Sequence, residues 1–292
     1  MRILLTGANG QLGQHLTPLL ATRHELIRST RVECDLTDGD SVSSMLDSHQ
    51  PDLVVNAAAM TAVDAAEDET DLADQLNHQL PDRLARWCSE HDAGLIHYST
   101  DYVFSGQNHR AWQESDPTDP QSAYGHSKLL GEQAIAKHAV GALIIRTAWV
   151  YSALPGNFLS AILGRAQQGM PLKVVDDQVG SPTWAGSLAQ ASQRLIDGGH
   201  VPVDRAEVLH VANQGAVSWY VFAKKAVELA SQMGVIDAPV PIEPVGSDQW
   251  PQKAKRPAWS VLDCSRYATL VGKPMPNYEQ ALVECLSQWS RG

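Results

Sequence analysis

Short apolar runs alternate with more polar stretches through the first half of the chain. The apolar runs predict strands at 2–6, 24–28, 51–56, 94–98 and 142–146, with another short strand just before Cys34. The stretches between them predict helices at 11–20, 40–48, 64–77, 81–91 and 123–138. Strands and helices that alternate on this scale predict a parallel sheet covered on both faces. The predicted fold class is therefore α/β, with a Rossmann-type doubly wound parallel sheet.

The first predicted strand leads into a glycine-rich turn. Gly7, Gly10 and Gly13 follow it with the spacing GxxGxxG and open the first helix. Such glycines let the backbone turn tightly and approach a pyrophosphate, which sits on the helix N-terminus. A glycine triplet alone is weak evidence for such a site. Its position between a strand and a helix indicates a dinucleotide site. An ordinary glycine-rich turn is the competing interpretation.

The end of the second predicted strand bears on which dinucleotide binds. A site that prefers NAD usually has an acid there to hold the ribose 2′-OH. This chain has Arg28, Ser29, Thr30 and Arg31 at that place and no carboxylate before Glu33. Two guanidiniums and two hydroxyls suit a 2′-phosphate, so we expect NADPH as the cofactor, with NADH still open. The alternative is that the arginines are simply solvated.

Two more segments lie where open α/β sheets bind ligands. Ala59, Met60 and Thr61 follow the strand 51–56, and small side chains there let a dinucleotide lie close to the backbone. Asp35 and Leu36 follow the short strand before Cys34 and are placed to meet an adenine ring. Both segments are therefore candidate cofactor contacts.

A candidate proton-handling site lies in the middle of the chain. Tyr124 and Lys128 are one turn apart on one face of the predicted helix 123–138, and Thr100 follows the strand 94–98. A nearby ammonium favours the phenolate and lowers the pKa of a tyrosine, which makes it usable as a general acid or base. A Tyr-Lys spacing of this kind is more often found on an ordinary surface helix. The interpretation as a catalytic pair is strengthened by the glycine turn at the start of the chain.

Composition and charge exclude several classes of function. The net charge of the 292 residues is −11, which argues against a general role on nucleic acid or at a membrane surface. The four cysteines are far apart and form no CxxC pair, so we expect reduced thiols and no zinc site. No apolar run is long enough for a bilayer and no signal peptide precedes the first strand, which predicts a cytoplasmic protein.

The pattern loosens beyond residue 150, which predicts a second unit. Helices are predicted at 156–169, 184–196, 217–233 and 278–289, strands at 172–175 and 207–212, and a surface loop at 107–121. We assign 1–150 plus roughly 170–212 to a dinucleotide-binding domain. Roughly 151–169 and 213–292 then form a smaller, mixed α/β substrate domain. It contains the basic cluster Lys253–Arg256, where an anionic substrate would find counter-charge.

Taken together, the motifs resemble one family. The matching stretches are 5–13, 55–59, 62–64, 97–104, 124–128, 146–151, 177–183 and 256–257. They occur in the family's order over most of the chain. By these stretches the chain resembles the dTDP-4-dehydrorhamnose reductases, extended members of the short-chain dehydrogenase/reductase superfamily.

The resemblance implies a reaction and a set of residue roles. It implies that NADPH reduces C4 of dTDP-4-dehydro-β-L-rhamnose to give dTDP-β-L-rhamnose, so a dTDP-sugar is the expected partner. It implies that Tyr124 donates the proton, that Lys128 lowers the phenol pKa and holds the nicotinamide ribose, and that Thr100 hydrogen-bonds the C4 oxygen. The cofactor contacts that it implies are Gly10, Gln11, Leu12, Asp35, Leu36, Ala59, Thr61 and Tyr98. The implied substrate contacts are Asp101, Trp149 and Arg256.

One position departs from the family pattern. Members described as metal-bridged dimers carry a glutamate in the first helix, where this chain has His15. We therefore expect no metal site and no metal-bridged dimer of that kind, while another homodimer stays open. His15 is expected to be a solvated helix residue.

Several alternatives remain open. A reductase of opposite stereochemistry would give the 6-deoxy-talose sugar, because the pose of the substrate decides which face of the ketone is reduced. A non-catalytic NADP-binding regulatory subunit would resemble the β subunit of methionine adenosyltransferase. An epimerase or dehydratase is disfavoured, because superfamily dehydratases follow the catalytic hydroxyl with Asp-Glu and here Tyr102 follows Asp101. Asp101 could instead cap its loop, and Trp149 could be plain core.

Overall fold

The computed structural model describes residues 1–138 and 141–289, so the last three residues of the predicted substrate domain lie outside the described part. Its strands are β1 (Arg2–Thr6), β2 (Glu25–Ser29), β3 (Leu53–Asn56), β4 (Gly94–Thr100), β5 (Ala142–Thr147), β6 (Val150–Tyr151), β7 (Leu172–Val175), β8 (Val179–Gly180), β9 (Thr183–Trp184), β10 (Ala206–His210), β11 (Val217–Ser218) and β12 (Ile242–Val245). Its helices are α1 (Gln11–Ala21), α2 (Gly39–His49), α3 (Thr70–Asp74), α4 (Leu80–Glu90), α5 (Ala123–Lys137), α6 (Phe158–Gln167), α7 (Ala185–Asp197), α8 (Trp219–Gln232), α9 (Ser265–Val271) and α10 (Tyr278–Ser287).

Six parallel strands form the central sheet, in the order β2-β1-β3-β4-β5-β10. The chain runs from β1 to β2 on one side and then crosses to β3 on the other. The strand order therefore reverses between β1 and β3, which is where doubly wound sheets bind ligands. The predicted α/β fold class is confirmed.

Both faces of this sheet are covered, which explains why its strands are almost continuously apolar. On one face Leu5 and Leu16 pack with Leu188 of α7. On the other face Leu4 packs with Leu84 and with residues of α2 and α5. A rigid, buried sheet thus fixes the positions of the loops at its carboxyl edge.

A smaller layer packs beside the sheet around its own apolar core. The strand β7 pairs with β12, and Leu172 packs with Leu163, Phe222 and Leu282 from α6, α8 and α10. The predicted division placed 172–175 with the dinucleotide-binding domain, whereas this pairing places the strand in the smaller layer. The partner strand lies too far along the chain for a local pattern to reveal it. Apart from this strand, the division into two domains stays a proposal.

One prediction of local structure is wrong. The short strand before Cys34 does not form, because the backbone N–H groups of Glu33 and Cys34 both turn back to the carbonyl of Thr30. The predicted surface loop 107–121 is confirmed, since it has no helix or strand and its residues other than Trp112 are exposed or half-buried. It is anchored by Trp112, which is buried and stacks on Phe104 at 4.5 Å between ring centroids. A single tryptophan in a polar stretch has no periodicity that could predict its burial.

Two further findings bear on the class of protein. The four cysteines are all free thiols. Within residues 1–138 and 141–289, no helix has both the length and the apolar character needed to cross a membrane.

Candidate active site

A cleft of about 420 Å³ opens at the carboxyl ends of the central strands, beside the point where the strand order reverses. The predicted site residues that line it are Gly10, Gln11, Leu12, Ala59, Thr61, Tyr98, Thr100, Asp101, Tyr124, Lys128, Trp149 and Arg256. The fold thus brings the glycine turn, the three predicted catalytic residues and the predicted substrate contacts to one place.

The remaining predicted residues do not line this cleft. Gly7 and Gly13 lie within the glycine turn, and Met60 is buried among the side chains that pack around Tyr102 and Tyr124. The others lie at the end of β2 or in the turn after it and are Arg28, Thr30, Arg31, Asp35 and Leu36. Their roles stay predictions.

The three glycines of the turn have different neighbours. Gly7 has a positive φ of 66°, and a Cβ there would stand 2.7 Å from the backbone of Ala57. A Cβ on Gly13 would overlap the carbonyl oxygen of Gly7 and stand 2.7 Å from Cα of Ala8. A Cβ on Gly10 would meet only the Gly7 oxygen, at 3.2 Å. Gly7 and Gly13 therefore serve the packing of the turn, while Gly10 leaves open space in front of α1.

The N-terminus of α1 is suited to an anion. Its N-cap is Gly10, which has no side chain to accept from the first N–H groups of the helix. Unsatisfied N–H groups and the positive end of the helix dipole attract phosphate. Gln11 holds the turn against the loop that precedes α6, since its Nε2 donates to the carbonyl of Pro155 over 2.8 Å. The geometry fits the pyrophosphate of a dinucleotide.

Tyr124 lies in the first turn of α5 and lines the cleft. Ser122 caps this helix by accepting from the N–H of Gly125 over 3.1 Å, which fixes the first turn. The Tyr124 phenol is buried and hydrogen-bonds the side chain of Thr100. Burial raises the pKa of Tyr124 above its ordinary value, and the Thr100 bond opposes that rise only in part. The predicted lowering of this pKa by Lys128 is therefore not what this structure shows.

Lys128 is buried under the cleft, one helical turn after Tyr124. Its Nζ donates to the carbonyl of Tyr98 over 2.7 Å and lies 3.2 Å from Nε2 of His97. Burial lowers the pKa of Lys128 to about 8, although the nearby Glu132 carboxylate opposes this shift. Lys128 therefore loses its proton more easily than an exposed lysine does.

Asp101 is almost completely buried beside Thr100. The Thr100 hydroxyl donates to Oδ1 of Asp101 over 3.0 Å, and burial raises the pKa of this carboxyl to about 6. The cap of the following turn is Thr100 itself, whose oxygen accepts from the N–H of Tyr102 over 3.2 Å. Thr100 is therefore the N-cap of this turn, and a substrate contact by Asp101 stays a prediction.

Trp149 forms a wall of the cleft in a strained conformation. Its φ is +47°, a region that side chains other than glycine rarely adopt. Its indole stacks face to face on Trp219, with 3.5 Å between ring centroids, and Trp219 in turn packs on Phe158. A Cβ on Gly180 would overlap the Trp149 indole, so the back of the ring is also fixed. Strained residues of this kind gather at ligand sites.

A second cavity of about 790 Å³ adjoins the cleft, between the cleft and β7. Both spaces are lined by Phe158, Trp219 and Arg256. The far walls of the second cavity include Lys173 and Trp250. A ligand that extends from the cleft into this cavity would pass Arg256.

The basic cluster that contains Arg256 is held by acidic residues of the same chain. Nη2 of Arg256 donates to Oδ2 of Asp64 over 2.8 Å, and Asp64 also accepts from the backbone N–H groups of Lys253 and Ala254. The Lys253 ammonium pairs with Asp68. The cluster therefore has partners within the chain, and only the Arg256 end of it reaches the cleft.

The family of the chain follows from its whole length. The family model described as RmlD substrate binding domain matches residues 1–291. The dTDP-4-dehydrorhamnose reductase of Mycolicibacterium smegmatis is 38% identical over 289 residues, which cover 98% of this chain and 85% of that protein. The chain belongs to the dTDP-4-dehydrorhamnose reductase family.

Two further members of this family support the assignment. The Escherichia coli K12 protein of the same name is 35% identical over 292 residues, which cover 99% of this chain and 98% of that protein. The solved structure of the Bacillus anthracis dTDP-4-dehydrorhamnose reductase, in complex with NADP, has a TM-score of 0.90 at 30% identity and covers 98% of this chain and 99% of that one. The resemblance drawn from the motifs is confirmed.

The residue that departs from the family pattern lies at the edge of a separate surface cavity. His15 is half-buried rather than solvated, and its ring meets Trp184 edge to face at 5.7 Å between centroids. Burial lowers the pKa of His15 below its ordinary value, which favours the neutral ring. The expectation of a fully solvated side chain is therefore wrong.

Sequence reasoning missed two features of the site. Trp219 was placed only within a helix, and nothing local reveals that it stacks on Trp149. A row of buried polar side chains, Thr6, Asn56 and His97, leads to Lys128 and was also missed. Its signal was present in the sequence, since Thr6 and Asn56 end apolar runs and His97 lies within one.

Proposed function

We propose that the chain is an NADPH-dependent oxidoreductase that reduces the C4 ketone of dTDP-4-dehydro-β-L-rhamnose to dTDP-β-L-rhamnose. The observation that carries the proposal is that Thr100, Tyr124 and Lys128 share one cleft with the glycine turn of α1. Family membership supports the dTDP-sugar as substrate and NADP as the cofactor form. The product is a sugar donor for cell-surface polysaccharide.

In this proposal Tyr124 is the proton donor. Bound NADPH supplies the hydride. A ketone that gains a hydride becomes an alkoxide, which needs donors at the oxygen where the charge appears. Burial holds Tyr124 in its protonated form, ready to donate. The Thr100 hydroxyl beside it would give the second hydrogen bond by turning from Oδ1 of Asp101 to the substrate oxygen. As an ammonium, Lys128 would stabilise the phenolate that remains.

The chain has candidate contact residues for each part of the cofactor. Gly10, Gln11 and Leu12 would hold the pyrophosphate at the helix N-terminus, with Gly7 and Gly13 shaping the turn. Lys128 would hold the nicotinamide ribose. The remaining proposed contacts are Ala59, Met60, Thr61 and Tyr98 along the cleft, Asp35 and Leu36 at the adenine, and Arg28, Thr30 and Arg31 at the 2′-phosphate.

For the substrate, we place the sugar in the cleft and the nucleotide in the second cavity. Asp101 and Trp149 would contact the sugar, since both line the cleft beside Thr100. Arg256 borders both spaces and would pair with the diphosphate that passes between them. The pair with Asp64 would hold its guanidinium in place.

Alanine substitutions in the glycine turn separate folding from cofactor binding. Gly13→Ala is expected to lower the free energy of unfolding by about 3 kcal/mol, because the new methyl group meets only backbone atoms that cannot move. Gly10→Ala is expected to change it by less than about 1 kcal/mol and to raise the Kd for NADPH about tenfold. Urea unfolding and fluorescence titration with NADPH measure the two quantities. Equal loss of stability in both variants would contradict the assignment of Gly10 to the ligand.

Replacing Glu33 is expected to sharpen the preference for NADPH. The Glu33 carboxylate accepts from the backbone N–H of Thr30 over 2.7 Å and also from its hydroxyl, so it occupies donors that a 2′-phosphate would use. Glu33→Gln removes that negative charge and should raise the NADPH/NADH ratio of kcat/KM roughly fivefold. Glu25→Gln, an exposed acid at the start of β2, is the matched control. An unchanged ratio would show that Glu33 does not face the cofactor.

A coupled assay tests the proposed function. The upstream enzymes generate dTDP-4-dehydro-L-rhamnose, and the absorbance of NADPH or NADH is followed after adding this protein, with the product sugar identified by NMR. Oxidation of NADPH with formation of dTDP-L-rhamnose is the expected result. Formation of the 6-deoxy-talose sugar would keep the mechanism and correct the product. Binding of NADPH without oxidation would favour another substrate or the regulatory class.

We also propose that the protein works in the cytoplasm and acts on the free nucleotide sugar. The absence of a spanning helix from the described residues is consistent with this. A homodimer without a bridging metal ion stays open.

A further inference from the structure

A row of three buried polar side chains crosses the sheet beneath the cleft. Thr6, Asn56 and His97 are register partners on the neighbouring strands β1, β3 and β4, and all are buried. Oγ1 of Thr6 donates to Oδ1 of Asn56 over 2.7 Å, and Nδ2 of Asn56 lies 3.0 Å from Nδ1 of His97. The other ring nitrogen, Nε2, lies 3.2 Å from Nζ of Lys128. The proposed reaction uses none of these three side chains, yet the row ends at a catalytic lysine.

The backbone fixes the direction of the hydrogen bonds in this row. The N–H of Ala58 donates to Oδ1 of Asn56 over 3.3 Å, and a backbone N–H cannot exchange roles with an acceptor. The amide nitrogen of Asn56 therefore faces His97 and donates to Nδ1. A neutral imidazole whose Nδ1 accepts must carry its proton on Nε2. That N–H points at Nζ of Lys128.

This arrangement favours an uncharged Lys128. A neutral amine accepts from the His97 N–H with its lone pair and donates to the Tyr98 carbonyl, which lies 2.7 Å away. An ammonium has three donors and no lone pair, so it would meet the imidazole N–H donor to donor. His97 stays neutral itself, because burial lowers its pKa well below the ordinary value.

We infer that the Thr6–Asn56–His97 row controls whether Lys128 carries a proton, with His97 as its positioning residue. Its effect on catalysis rests on the proposed function, in which the ammonium stabilises the phenolate of Tyr124. The other titratable groups around Lys128 are Tyr124 and Glu132 on its own helix and Tyr98 on β4. Glu132 favours the ammonium and so works against His97. The row therefore lowers the pH above which the lysine is uncharged.

Nitrogen NMR of protein labelled with [¹⁵N]histidine tests the direction of the row without any turnover. The signals of His97 are those that disappear in His97→Gln. In the wild-type protein without ligand, we expect a proton on Nε2 and none on Nδ1 between pH 6 and pH 8. A proton on Nδ1, or on both nitrogens, would overturn the inference, and this measurement does not need a variant that folds perfectly.

The substitution His97→Asn tests the effect on Lys128. An asparagine amide reaches the place of Nδ1 but not that of Nε2, so it keeps the Asn56 contact and removes the N–H from Lys128. The alkaline limb of kcat against pH should move upward by roughly one unit. The control is His126→Asn, which changes an exposed histidine on α5, the helix of Lys128. It should leave the alkaline limb in place.

Two outcomes separate this inference from a structural role and from the proposed function. If His97→Asn lowers the melting temperature but the alkaline limb of kcat against pH stays in place or moves downward, the row has only a structural role in the packing of the sheet. If the wild-type protein oxidises no NADPH, the proposed function fails, while the histidine NMR still decides the direction of the row.

Discussion

Tyr124→Phe is expected to lower kcat for the dTDP-sugar about 10³-fold, because it removes the one phenolic proton at the developing alkoxide. The ring remains, and a single neutral hydrogen bond is worth about 1 kcal/mol, so the Kd for NADPH should change less than about fivefold. Stopped-flow absorbance of NADPH and fluorescence titration give the two values.

The matched control for this experiment is Tyr220→Phe. Tyr220 lies on α8 and lines a different surface cavity, so its loss should leave kcat unchanged. A Tyr124→Phe variant that keeps more than a tenth of the wild-type kcat would refute the role of proton donor. A variant that loses NADPH binding as well would show that Tyr124 chiefly holds the cofactor.

Arg146→Met is expected to lower the free energy of unfolding by about 3–5 kcal/mol, since it leaves a buried carboxylate without its cation. Arg146 and Glu132 are both about 5% exposed and form two hydrogen bonds, Nε to Oε1 over 2.9 Å and Nη2 to Oε2 over 2.6 Å. The guanidinium also lies over the ring of Phe104, 5.1 Å from its centroid. Urea unfolding followed by circular dichroism measures the loss.

Two controls show whether burial is the cause. Arg86→Met breaks the exposed pair with Asp82, and we expect a loss below about 1 kcal/mol. Combining Arg146→Met with Glu132→Leu removes both charges and should recover most of the stability, to within about 2 kcal/mol of the parent. A double variant as unstable as Arg146→Met alone would mean that packing around Phe104, rather than the unpaired charge, accounts for the loss.

The parts of the site that could be predicted are those that a few neighbouring residues determine. The glycine turn was predicted from the strand before it and the helix after it. Tyr124 and Lys128 were predicted from a helical spacing of four. Local signals of this kind survive folding because the same residues set both the backbone and the direction of the side chains.

The parts that could not be predicted depend on partners far along the chain. The strand β7 joined the smaller layer because its partner is β12, and Trp112 is buried because it stacks on Phe104. The short strand before Cys34 failed because Thr30 accepts two backbone N–H groups instead. In each case a contact that sequence alone cannot show decided between two locally acceptable structures.

The shared wall between the two cavities has a consequence for how this protein can diversify. On the proposed placement, the carbonyl chemistry and the recognition of the base take place in separate cavities, whose shared lining among the described residues is Phe158, Trp219 and Arg256. Lys173 and Trp250 line the second cavity and not the cleft, so on this placement their substitution is expected to change which nucleotide is accepted and to leave Tyr124 in place. On this placement, selection can change which nucleotide the substrate carries independently of the reaction at the sugar ketone.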